Sequence, residues 1–228
     1  DDNTVKAADL TTGNQLWSHS LHSDRVLGVA VDTTNGQVIS GSDDNTVKAA
    51  DLTTGNQLWS HSLHSDIVFG VAVDTTNGQV ISGSFDNTVK AAELTTGNQL
   101  WSHSLHSNSV LGVAVDTTNG QVISGSDDNT VKAADLTTGS QLWSHSLHSD
   151  RARGVAVDTT HGQVLSGSDD NTVKAADLTT GNQLWSHSLH SDRVLGVAVD
   201  TTNGQVISGS DDNTVKAADL TTGNQLWS

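Results

Sequence analysis

The chain has 228 residues, of which 34% are apolar and 4% aromatic, and it contains no cysteine, proline, methionine or tyrosine. That composition excludes disulfides, zinc–thiolate sites and cysteine nucleophiles, and it suits thin cores shared between stacked repeats. Its 26 acidic against 10 basic side chains give a net charge of −16, which disfavours nucleic acid and anionic membranes as partners.

The segment DDNTVKAADLTTGNQLWS opens the chain at Asp1, returns at Asp43, Asp127, Asp169 and Asp211, and recurs in altered form at Phe85. The period is 42 residues: five units fill 1–210, and 211–228 are identical to 1–18. Four strands are predicted per unit. Val26 to Asp32 is rich in β-branched residues. Thr33-Thr34-Asn35-Gly36 follows, where Asn-Gly favours a tight hairpin. Gln37 to Ser42 is the second strand, and Asp43-Asp44-Asn45 the next turn. Thr46 to Leu52 is the third, Thr53-Thr54-Gly55 turns again, and Asn56 to Leu63 is the fourth. No segment carries a helical period. Small residues such as Gly28, Ala30, Ser40, Gly41, Ala49 and Ala50 predict close approach between neighbouring sheets. One tryptophan per unit (Trp17, Trp59, Trp101, Trp143, Trp185 and Trp227) supplies the large apolar body between them.

The stretch HSDRVLGVAVDTTNGQVISGSDDNTVKAADL resembles a WD repeat. His22 stands at that family's Gly-His pair, Ser42 to Thr46 match its tight turn, and Ala49-Ala50-Asp51 stand where Leu-Trp-Asp would be. Leu21 and Ala50 depart from the pattern and leave its histidine–tryptophan network incomplete. The unit also resembles the quinoprotein-type repeat with its tryptophan-docking pattern, met here by Ala49, Asp51, Thr54, Gly55 and Trp59. Both resemblances cover the whole chain and imply four-stranded blades.

The expected fold is therefore an all-β propeller of 42-residue blades: a half-blade at 1–24, then blades at about 25–66, 67–108, 109–150, 151–192 and 193–228. The half-blade leaves closure open. Three outcomes are expected: the piece is cut from a longer array, a five-blade ring closes on one terminal strand pair and leaves the other free, or the units continue head-to-tail from chain to chain through free strand edges.

Units one and five are identical, and the others depart from them at eleven positions. Six departures (Ile67, Phe69, Asn108, Ser109, Ala152 and Arg153) fall in the window of Asp24-Arg25-Val26-Leu27, which propellers of this kind place on the rim of the central channel. Arg25, Ile67, Phe69, Ser109, Arg151, Arg153 and Arg193 are the expected rim contacts, and drift at a permissive loop is the alternative. Phe85, Glu93, Ser140, His161 and Leu165 read as scattered.

Other chemistry is set aside. His61 and His64 lie three apart on one strand and face opposite ways, so they do not chelate together. His61 is expected beside Trp59, and His64 at the following turn. Asp43-Asp44-Asn45 lacks the ligand alternation of a calcium loop. Ser62, His64 and Asp66 are too close in sequence for triad geometry. Neither a cofactor nor a metal is expected. The functional expectation is a non-enzymatic scaffold binding a protein or other ligand at its rim. The alternative is a structural protein assembling with itself through its terminal half-blades.

Overall fold

The computed structural model describes residues 2–228; Asp1, the first residue of the expected half-blade, lies outside the described residues. The elements are strands throughout. β1 (Val5–Ala8) and β2 (Gln15–His19) form a two-stranded half-blade. Blade one comprises β3 (Val26–Asp32), β4 (Gln37–Ser42), β5 (Val47–Asp51) and β6 (Gln57–His61). Blade two holds β7 (Val68–Asp74), β8 (Gln79–Ser84), β9 (Val89–Glu93) and β10 (Gln99–His103). Blade three holds β11 (Val110–Asp116), β12 (Gln121–Ser126), β13 (Val131–Asp135) and β14 (Gln141–His145). Blade four holds β15 (Ala152–Asp158), β16 (Gln163–Ser168), β17 (Val173–Asp177) and β18 (Gln183–His187). Blade five holds β19 (Val194–Asp200), β20 (Gln205–Ser210), β21 (Val215–Asp219) and β22 (Gln225–Trp227). Each blade is an antiparallel meander in chain order, so the fold is an all-β propeller repeat.

The first two strands of each blade match their predicted spans, while the outer two are shorter. Asp51 explains the trimming. Its carboxylate accepts from the Thr53 and Thr54 N–H groups and from the Thr54 hydroxyl, and its carbonyl accepts from Gly55 N–H. The backbone bond recurs in blade two, where Gly97 N–H donates to Glu93 O, so the corner closes on itself there too and the aspartate side chain reinforces it in the other blades. The turn after β3 also differs from expectation. Asp32 pairs with Gln37 across a four-residue loop, and Gly36 alone takes positive φ (67°) there. Asp32 caps this loop by accepting from Thr34 N–H, Asn35 N–H and the Asn35 amide. The Asn35 position has ordinary φ, so His161 replaces it in blade four without strain and still binds Asp158 at 2.6 Å. Asn45 is the residue held left-handed in the next turn, at φ 66°.

Two bulges recur. Leu27 is extra between the pairs Val26–Ser42 and Gly28–Gly41, and Leu58 is extra between Ala49–Trp59 and Ala50–Gln57. A bulge re-aims the neighbouring side chains. The outer one leaves Leu58 half-exposed and turns Trp59 into the junction with blade two. There Trp59 packs with Ile39, Val47 and Ala49 of its own blade and Val68, Val71, Val80 and Leu94 of the next. Its indole N–H donates to the Leu94 carbonyl at 2.9 Å. Gly97 (φ 74°) must be glycine, since a Cβ there would fall 2.4 Å from His61 and 2.7 Å from Trp59. The same lock joins the half-blade to blade one and each blade to its successor: Trp17, Trp101, Trp143 and Trp185 donate to Leu52, Leu136, Leu178 and Leu220.

The array is an open arc. Successive inner strands β3, β7, β11, β15 and β19 pack on one another, but β19 does not pack back on β3 among the described residues. A Cβ on Gly28, Gly112 or Gly154 would strike the next blade within 3.0 Å, while one on Gly196 would meet nothing within 4 Å. Trp227 is 46% exposed where Trp59 is 8% exposed.

Candidate functional site

The inner bulge builds the mouth of the central funnel. It directs Leu27, Phe69, Leu111, Arg153 and Leu195 inward from the five inner strands, above a glycine–valine wall, around a space of about 620 Å³. Each blade adds a backbone rung at the same end. Asp43 N–H donates to Arg25 O at 2.9 Å, and the rungs Phe85–Ile67, Asp127–Ser109, Asp169–Arg151 and Asp211–Arg193 repeat that bond. Residues 18 apart in sequence therefore stand side by side at the mouth.

The rungs differ in chemistry. In blades one and five they are ion pairs: Arg25 Nε donates to Asp43 at 2.6 Å, and Arg193 pairs with Asp211. In blade two both partners are replaced at once. Ile67 and Phe85 form the rung, and Phe69 packs tilted against Phe85 with ring centroids 6.3 Å apart. Three apolar side chains thus form one notch at a rung where each of the other four carries an aspartate, with Phe85 half-exposed. In blade four the funnel residue is Arg153, which takes Asp169 for itself through two guanidinium N–H groups, one at 2.9 Å. This bidentate pairing with Asp169, reinforced by Asp127 and Asp211, strengthens the Arg153 charge despite its partial burial. Arg151, displaced from its own rung partner, reaches back to Asp127 at 3.5 Å. All four arginines of the chain lie here.

Two of the expectations at the rim are corrected. Arg25, Arg151 and Arg193 are exposed, and Ile67, Phe69 and Arg153 are partly buried. Ser109 is fully buried and offers no contact: its short side chain turns toward Asn108 Oδ1 at 3.4 Å instead of outward. Phe85, which read as scattered, belongs to the mouth. Its signal was the joint loss of Arg and Asp from one blade, visible only once the 18-residue rung is known.

Beneath the mouth lies a buried polar set in every blade. His22 Nδ1–H donates to Asp44 at 3.0 Å, and His22 Nε2 accepts from the Ser40 hydroxyl at 2.8 Å. Thr46 and Ser23 N–H also donate to Asp44, and Lys48 donates to the Leu21 carbonyl at 2.7 Å. The histidine network therefore forms without the tryptophan that Ala50 replaces. Burial pushes His22 and His64 below the ordinary imidazole range, against the pull of Asp44 and Asp86. Burial opposes the Asp44 charge too, but hydrogen bonds from Thr46, Ser23 and His22 outweigh it and hold the carboxyl well below its usual range. The order Asp–His–Ser mimics a catalytic triad, yet Ser40 is 1% exposed and reaches no substrate. Ser62, His64 and Asp66 are not brought together: His64 pairs with Asp86 and Ser82. His61 instead stands beside Trp59 and donates to Thr96 O at 2.9 Å.

The family described as outer membrane protein assembly factor BamB matches residues 1–126 and again 127–228. The chain belongs to this BamB-type repeat family. Among solved structures, the computationally designed Ika8 protein is 32% identical, with a TM-score of 0.81 over 99% of this chain and 68% of that one. No curated protein matches the chain. Tryptophan and glycine are constant at every filled junction, and aspartate caps the corner at all but one, where Glu93 stands. The mouth residues are where the units of this chain depart from one another.

Proposed function

We propose that the chain is a non-enzymatic scaffold whose mouth binds a protein segment carrying a bulky apolar side chain and a nearby carboxylate. One observation carries this reading. Seven of the eleven departures from the repeat gather on the mouth: the six in the window, and Phe85. Five of those seven keep exposed or partly exposed side chains. Drift would scatter changes over the equally exposed outer strands, where Leu16, Leu58, Leu100, Leu142, Leu184 and Leu226 stay constant. The notch of Ile67, Phe69 and Phe85 suits an apolar anchor, since desolvated aromatic pockets dominate binding energy. Arg151, only loosely held by Asp127, suits the carboxylate.

A non-catalytic role agrees with the chemistry present. His22, His64, His106, His148 and His190 are committed to buried structural bonds, His19, His61, His103, His145 and His187 bond the backbone of the next blade, and the funnel wall is glycine and valine backbone with one arginine that is already paired.

Selection of displayed peptides tests the proposal. The native chain is compared with one reverted to the repeat at Ile67→Arg, Phe69→Leu, Phe85→Asp and Arg153→Leu. Every introduced residue already stands at the matching place in other blades, so the fold is kept. Peptides with an aromatic or leucine anchor beside Asp or Glu are expected to enrich on the native chain alone. Enrichment of the same peptides on both chains would remove the mouth from consideration.

A further inference from the structure

The two ends of the arc are uncovered in complementary ways. On the forward face of blade five, Val215 is 54% exposed, whereas Val47, Val89, Val131 and Val173, its counterparts, are fully buried. Gly209 faces open space, whereas a Cβ on Gly41, Gly83, Gly125 or Gly167 would strike the next blade. At the other end, the seat on blade one is only half filled. Val29 and Val31 are 53% and 49% exposed, against 9% for Val71, the counterpart of Val29. The half-blade β1–β2 offers that seat Val5, Ala7 and Trp17. A complete blade offers a fourth group from its second strand, as Ile39 does at the next junction.

We propose that blade five of one copy seats on blade one of a second copy, displacing that copy's half-blade. The outer strands of blade five, within residues 211–228, are identical to those they displace. They therefore restore the same lock, with Trp227 donating to Leu52 O in place of Trp17, which now makes that bond at 2.9 Å. The inner strands β19 and β20 add what the half-blade lacks. Ile207 covers the exposed valines, and Gly196 meshes with Gly28 as Gly154 meshes with Gly196 in the internal junction. Continuity with four internal junctions of the same residues specifies the occupant as another unit of this repeat, which a second copy supplies. The chain's own blade five does not supply the cover, because among the described residues β19 does not pack on β3 and a Cβ on Gly196 would meet nothing within 4 Å. The contact is heterologous, so it propagates head-to-tail until it closes.

The test uses the full chain. Sedimentation velocity over a concentration series is expected to show mass rising to dimers and beyond. Val215→Asp, at a site exposed in the free chain, is expected to leave the circular dichroism spectrum unchanged and weaken association roughly tenfold or more. Val29→Cys with Val215→Cys, in a chain that has no other cysteine, is expected to give covalent dimers and longer ladders with a short bis-maleimide. A monomer at every concentration, association untouched by Val215→Asp, or a crosslink formed within one chain would each overturn the proposal. Val215 lies outside the funnel lining and Val29→Cys serves only the crosslink, so Val215→Asp lets this inference and the peptide-binding reading fail separately.

Discussion

At the scale of single residues, glycine and histidine set the terms of the fold. Gly55 and Gly13 share the left-handed backbone (φ 74° and 71°), but only Gly55 lies against a preceding blade, with Trp17 and His19 within 3 Å of a Cβ. Gly13→Ala is expected to cost only the backbone penalty, about 1 kcal/mol. Gly55→Ala adds a clash with the lock, and urea titration is expected to show a loss of about 3 kcal/mol or more. Equal losses would mean that the glycine serves conformation alone. The buried histidines predict a pH dependence with a definite sign. His22 and His64 are depressed in the folded state, so the unfolded chain takes up their protons first. Their stabilisation is complete above the unfolded value near 6.5 and falls as pH drops below it. The aspartates bound to the histidine sets, such as Asp44 and Asp86, are likewise depressed, and theirs is lost only below about pH 4. Urea midpoints should therefore decline from pH 7 toward pH 5 and again below pH 4. A flat midpoint between pH 7 and pH 5 would contradict the neutral, buried imidazoles.

At the scale of strands and turns, periodicity and turn residues made most of the fold readable. Val26–Asp32 and Gln37–Ser42 follow directly from β-branched runs between turn signals. The outer strands end early because the corner closes on itself, with Gly55 N–H bonded to Asp51 O and Gly97 N–H to Glu93 O, a local competition that strand propensity does not register. The bulges at Leu27 and Leu58 were not legible, since a bulge is a property of register between two strands. Without them, neither the inward aim of Phe69 nor its meeting with Phe85 could be read, although both residues stood out as departures. Ser109 failed for the opposite reason: position in a variable column says nothing about which way a small side chain turns. The mouth's ion pairs carry their own prediction. Arg153→Leu restores the funnel residue of blades one, three and five, and frees Asp169 for Arg151, as Asp211 serves Arg193. Stability is expected to change by no more than about 0.5 kcal/mol. A loss of several kcal/mol would show that Arg151 does not take over the pairing.

At the scale of the whole molecule, near-identical units make one junction and repeat it, so stability is roughly a sum of neighbour terms. Closure belongs to no unit. It depends on the accumulated rotation of five junctions, which is why the sequence left ring and arc as equals and the structure distinguishes them. An arc has one filled seat for each of Trp17, Trp59, Trp101, Trp143 and Trp185, and an empty one for Trp227. The mouth and the free faces both follow from that arrangement. Its most direct test is urea unfolding of Trp59→Ala beside Trp227→Ala, at concentrations where the chain is monomeric. Loss of a buried tryptophan should cost Trp59→Ala about 3 kcal/mol or more. Trp227→Ala, on an uncovered face, should fall within about 0.5 kcal/mol of the parent. Equal and large losses for the two would mean that the sixth tryptophan also has a seat, and that the arc is closed.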